Sequence, residues 1–104
     1  MPMKSIVPVA IVIACMIATP ARANPELAQK KNCMACHAIG QKVIGPAYKD
    51  VAARYAGQPE AAARLAQKVM KGGTGVWGTA VMPSNPQVSE AEAKQLVQWI
   101  LSLK

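Results

Sequence analysis

Residues 33–37 read Cys33-Met34-Ala35-Cys36-His37, and no other stretch constrains the chain so tightly. These five residues hold the one histidine and two of the three cysteines. The chain has 104 residues, room for one domain and not two. A domain this small buries only ~60% of the surface its unfolded chain exposes and is marginal on its own core. Large apolar groups are scarce, with no Phe, two Trp and two Tyr. Small extracellular domains commonly meet this shortage with several disulfides. A bridge between Cys33 and Cys36 would close only a tiny loop, so it could not staple a fold. A large apolar group from outside the chain would supply the missing core.

The N-terminus bears on the compartment. Residues 1–23 carry one early charge, Lys4, then an apolar run from Ile6 to Ala18 interrupted by Pro8. They end in Ala21-Arg22-Ala23, a small-x-small pattern. This reads as a secretory signal peptide cut after Ala23, leaving residues 24–104 as one exported domain. A retained anchor is the competing reading, and the run is short for a span of ~20 residues. Val12-Ile13-Ala14-Cys15 loosely resembles a lipoprotein cleavage box but lacks the usual leucine at its first position. Removing residues 1–23 takes away Lys4 and Arg22 and leaves ten basic against five acidic residues, a balance of +5. These charges form no run and do not alternate with aromatics, which argues against nucleic acid as a partner. They suit a solvated surface with some steering power toward acidic partners.

The remainder reads as all-α, with three or four helices separated by loops and no strand alternation. Asn24-Pro25-Glu26 is a good start for a first helix running to about Ala35, with cap, first-turn proline and acid in order. Cys33, Cys36 and His37 then fall at its C-terminal end. Residues 38–46 form a loop, and a short helix spans Ala47 to Tyr55, closed by Gly57. A third begins near Pro59-Glu60 and runs to Met70 before Gly72-Gly73. Residues 72–88 lack periodicity, and a loop of that length in a compact domain is usually functional or disordered. Ser89-Glu90-Ala91-Glu92 is a capping box. Ala93, Leu96, Val97, Ile100 and Leu101 then form one apolar stripe, with Trp99 packing beside it.

Cys-x-x-Cys-His is the attachment sequence of c-type haem. Two thiols add across the haem vinyl groups as thioethers, and the adjacent imidazole, His37, reaches the iron. A redox dithiol would use the same cysteines, but those motifs sit in a βαβ context that is absent here. Zinc needs about four ligands. A structural disulfide leaves His37 unexplained. For the sixth ligand no second histidine exists. Met1, Met3 and Met16 leave with the leader, Met34 lies between the cysteines, and Met70 reads as helix packing. Met82 lies in the long loop beside Pro83 and Pro86, whose fixed φ angles stiffen it. It is assigned to the iron. The competing reading makes Met82 core filler beside five-coordinate iron.

At this point the chain resembles a class I cytochrome c of the short bacterial group, often called cytochrome c-five-fifty-one or c-eight. The resemblance covers residues 25–104. It rests on the haem motif, on Ile44-Gly45-Pro46-Ala47-Tyr48-Lys49-Asp50-Val51-Ala52, on Gly75-Val76-Trp77-Gly78, and on Met82-Pro83-x-Asn85. It implies about four helices wrapped around one covalently bound haem c. It also implies that the Pro46 carbonyl accepts from His37 Nδ1, that Trp77 donates to a haem propionate, and that Asn85 hydrogen-bonds near the methionine sulfur. Ser84 departs from the group, where a second proline is expected, and makes the loop softer there.

The expected function is a soluble periplasmic carrier of single electrons, not an enzyme. Imidazole plus thioether ligation raises the potential, and six filled positions leave no room for substrate. Lys30, Lys31, Lys42 and Lys49 are candidates to rim the haem edge and to meet acidic docking surfaces. Members of the resembled group pass electrons between respiratory or photosynthetic complexes, from a quinol-oxidising complex to nitrite reductase or haem-copper oxidase. A monomer without stable membrane insertion is expected. The competing classes are a small haem peroxidase or sensor with labile Met82, and a thiol oxidoreductase.

Overall fold

The computed structural model describes residues 25–104. The leader over residues 1–23, the cleavage after Ala23, Cys15 and the Asn24 cap all lie outside the described residues. Among the described residues four α-helices follow in order: α1 (Pro25–Lys30), α2 (Tyr48–Arg54), α3 (Ala61–Lys71) and α4 (Glu90–Leu101). Among the described residues, β pairing is limited to two isolated bridges, His37 with Lys42 and Gly73 with Met82.

α4 is the hub. Its capping box forms as expected: Ser89 N–H donates to Glu92 Oε1 at 3.0 Å, and Glu92 N–H donates to Ser89 Oγ at 3.1 Å. Two helix-start donors are thereby satisfied reciprocally. The stripe then buries Ala93, Leu96, Val97 and Ile100, with Leu101 half-buried. α3 and α2 both pack on this helix. Trp99 meets Tyr48 of α2 edge-to-face, with ring centroids 5.5 Å apart, a favoured aromatic geometry. Among the described residues, six of the thirteen buried apolar ones are alanines, and Leu96 is the largest side chain wholly out of solvent. This is a thin core, as the composition foretold.

The first helix is shorter than expected. It stops at Lys30 because Asn32 adopts the left-handed conformation, at φ 65°. Asn tolerates that region better than most residues, and a residue there ends a helix. Cys33–Ala35 then form a separate 3₁₀ turn. The attachment motif therefore sits on a tight turn of its own, with His37 N–H donating to Cys33 O at 3.1 Å.

α3 ends at Gly72, whose φ of 78° suits glycine alone. A side chain here would also meet backbone, with a Cβ falling 2.8 Å from the Pro83 carbonyl carbon. Gly72 thus lets the returning loop lie against the end of α3.

Candidate haem site

One apolar cleft of about 990 Å³, counting its opening to solvent, runs between the attachment turn, the Met82 loop and α4. Cys33, Cys36, His37, Pro46, Trp77 and Met82 all line it. Leu96, Val97 and Ile100 of α4 also line it, so the last helix faces both the core and the cleft. Both cysteines are free thiols and half-buried. Burial pushes the Cys33 thiol above its ordinary value, and a contact with the Tyr48 hydroxyl partly offsets this. Burial likewise raises Tyr48 well out of the ordinary phenol range, with the Cys33 charge adding to it. Two neighbouring thiols in an apolar cleft fit thioether attachment to a flat apolar ring.

His37 is held on three sides. The Pro46 carbonyl lies 2.8 Å from Nδ1. A carbonyl only accepts, so Nδ1 carries the hydrogen, and Nε2 is the nitrogen left to face the cleft as a ligand. Tyr48 stacks on the imidazole, with centroids 4.8 Å apart and planes 20° from parallel. Gly45 closes the third side. A Cβ there would fall 2.6 Å from His37 Cε1 and 2.9 Å from Nδ1. The hairpin that delivers Gly45 is fixed by its N–H donating to Cys36 O at 2.8 Å.

Met82 is fixed by its backbone. Its N–H donates to Gly73 O at 2.9 Å, and its carbonyl accepts from Gly73 N–H at 3.0 Å. The side chain packs half-buried on the main core cluster, alongside Leu96 and Val97. Met70 packs there as well and is not among the cleft-lining residues.

Trp77 reaches the cleft from the long loop. The Arg54 guanidinium lies 4.7 Å from its ring centroid, and Arg54 Nη1 donates to Val76 O at 3.0 Å. Asn85 sits behind the loop and outside the cleft lining. Its Nδ2 donates to Val69 O at 2.8 Å and more weakly to Pro83 O at 3.3 Å. Lys68 is a further lining residue, its Cε 2.8 Å from where a Gly73 Cβ would stand. Sequence reading missed Gly45, Lys68 and Arg54. Gly45 alone had a local signal, through its place next to Pro46.

The Cytochrome c family model matches residues 22–104. The chain is 52% identical over 91 residues to cytochrome c-552 of Nitrosomonas europaea, covering 88% of each.

The chain belongs to the cytochrome c family.

It is 59% identical over 83 residues to cytochrome c-552 of Hydrogenobacter thermophilus, covering 79% of this chain and 83% of that protein. The crystal structure of the Nitrosomonas europaea cytochrome c552 superposes with a TM-score of 0.76 at 53% identity, over 78% of this chain and all of the other. The fold is therefore that of a class I cytochrome c, and the resemblance read from the motifs is correct. Membership implies one covalent haem c and a role in electron transfer rather than catalysis. The cleft fits that group, because both thiols, an imidazole and a thioether converge on one apolar space. Among the described residues no helix is long and apolar enough to cross a membrane.

Proposed function

We propose that this cytochrome c is an exported, monomeric carrier whose haem iron is held by His37 Nε2 and Met82 sulfur. The observation that carries this reading is the pinning of both candidate ligands on one cleft. Pro46 fixes the His37 tautomer, and Gly73 fixes the Met82 backbone. Bound through Cys33 and Cys36, the haem supplies a one-electron couple. The chain does the rest. The Pro46 carbonyl strengthens His37 as a donor by holding its Nδ1 hydrogen. The Met82 thioether is neutral and donates weakly to ferric iron, which raises the potential. Leu96, Val97 and Ile100 keep water from the inner cleft and disfavour added charge. Trp77 offers its indole N–H to a propionate, beside the cation of Arg54. Asn85 steadies the methionine loop, and Pro83 O is the weaker of its two acceptors, the one to be exchanged for the sulfur.

The mouth of the cleft suits brief docking. Ile44 and Val81 line it at 58% and 65% exposure, and neighbouring Val43 is 53% exposed. Exposed apolar groups among cations fit small, fast electron-transfer interfaces. Lys30, Lys42 and Lys49 are exposed and available to acidic partners, such as a quinol-oxidising complex, nitrite reductase or haem-copper oxidase. Lys31 drops out of that set. Its side chain is 18% exposed and pairs with Glu92 at 3.2 Å. Residues 1–23 act as the export signal to the periplasm, removed after Ala23.

The test is the absorption spectrum of the oxidised protein. Iron–thioether ligation gives a weak band near the red end of the visible, and Met82→Ala abolishes it. A native protein without that band at neutral pH would refute the ligation.

A further inference from the structure

Beyond Met82 the loop must return to α4, and its return path is tied to a distant segment. Asn85 N–H donates to Met70 O at 3.0 Å, and Asn85 Nδ2 donates to Val69 O. Gln87 Nε2 then donates twice, to Asn85 Oδ1 at 3.0 Å and to Lys31 O at 3.1 Å. In return, Lys31 Nζ donates to the Gln87 carbonyl at 2.9 Å. Lys31 and Gln87 thus exchange two hydrogen bonds across 56 residues of chain. Glu92 holds the same ammonium from the first turn of α4. Lys31 stands two residues before Cys33, and Gln87 five residues after Met82.

We infer that Lys31 and Gln87 are positioning residues for the sixth ligand. Their reciprocal pair clasps the segment leading into the attachment turn to the far side of the Met82 loop. The clasp slows the departure of Met82 from the iron. Three features support a role beyond general stability. The clasp directly joins the two segments flanking the site, and Glu92 braces it from α4. Gln87 holds the acceptor oxygen of Asn85, whose amide hydrogens go to Val69 O of α3 and Pro83 O of the loop. On the near side of Met82, the Gly73 bridge supplies only two hydrogen bonds. Val88 is anchored in the core, so a swing of the loop that carries the sulfur away is hinged beside it, where the clasp sits. The inference rests on Met82 being the ligand.

The test uses the oxidised holoprotein and imidazole, which captures the iron only after Met82 leaves. Gln87→Ala removes two donors and raises the capture rate roughly fivefold. Lys31→Met removes the return bond together with the Glu92 ion pair and raises it similarly, and it serves independently if Gln87→Ala does not fold. Lys31→Arg keeps a donor at that place and stays near the native rate. Ala53→Gly, on the exposed face of α2, weakens the fold through backbone entropy alone. It lowers the unfolding midpoint by circular dichroism yet leaves capture within about twofold, since it touches neither loop end. Capture that rises equally in Ala53→Gly and the clasp variants, or in none of them, overturns the inference. A native protein with no red-edge band before imidazole is added instead shows that Met82 ligation itself has failed.

Discussion

Replacing Gly45 with alanine tests how the proximal histidine is held. The backbone at Gly45 lies outside the positive-φ region, so alanine brings no conformational strain. Its methyl group would stand 2.6, 2.9 and 3.0 Å from three atoms of the His37 ring. The nearest of these is 0.8 Å inside the 3.4 Å at which ordinary contact begins. The ring cannot yield freely, because Tyr48 stacks on it and Pro46 O holds Nδ1 at 2.8 Å. Moving the ring by that amount stretches the hydrogen bond out of range, which costs about 1 kcal/mol. Overpacking of a filled site typically adds ~1–3 kcal/mol. Gly45→Ala should therefore lose about 2–4 kcal/mol in guanidinium unfolding of the holoprotein. Its reduction potential should also shift, since the donor strength of His37 depends on the Pro46 contact. Gly40→Ala is the matched control, because a Cβ there meets nothing within 4 Å. It should be neutral, or more stable by up to ~1 kcal/mol. Equal stability and potential in the two variants would refute the claim that Gly45 exists to admit the imidazole.

Leu96 is the largest side chain wholly out of solvent among the described residues and also walls the cleft, so Leu96→Ala should lose ~2–5 kcal/mol in the same titration. Glu92 is held below its ordinary carboxylate value, first by the Ser89 backbone N–H and then by Lys31. A depressed folded value means its contribution is whole above the ordinary carboxylate range and disappears as pH falls through the folded value. Glu92→Gln should lose stability at neutral pH and show a flatter acid limb in thermal melts between pH 6 and 3 (roughly the window around ordinary carboxylates). The mass of the exported protein should equal residues 24–104 plus one haem, with no titratable thiol. A larger chain or two reactive thiols would count against the leader or the thioethers.

What the sequence revealed was local. The Ser89–Glu92 capping box and the stripe after it announced α4 because each signal lies within one or two turns. The Cys33–His37 motif announced the cofactor because its chemistry needs those residue types at that spacing. Met82 could be singled out by elimination among six methionines. What stayed hidden depends on contacts between distant segments. The first helix read on to Ala35, since nothing adjacent shows that Asn32 turns left-handed. Lys31 read as a solvated lysine and a candidate for docking, because its partners Gln87 and Glu92 lie far along the chain. The pairing of Gly73 with Met82, and the seat of His37 against Gly45, exist only once the loops have closed. Length and composition showed that the core was thin. The alanine-rich interior and the apolar cleft show where the missing volume goes.

The central claim is that protein groups close both axial faces of the iron. Exposing the reduced protein to carbon monoxide at neutral pH tests it most directly. The account predicts an unchanged spectrum in the native protein and immediate binding in Met82→Ala. Prompt binding by the native protein would mean an open iron, and the carrier described here would have to give way to a catalyst or sensor.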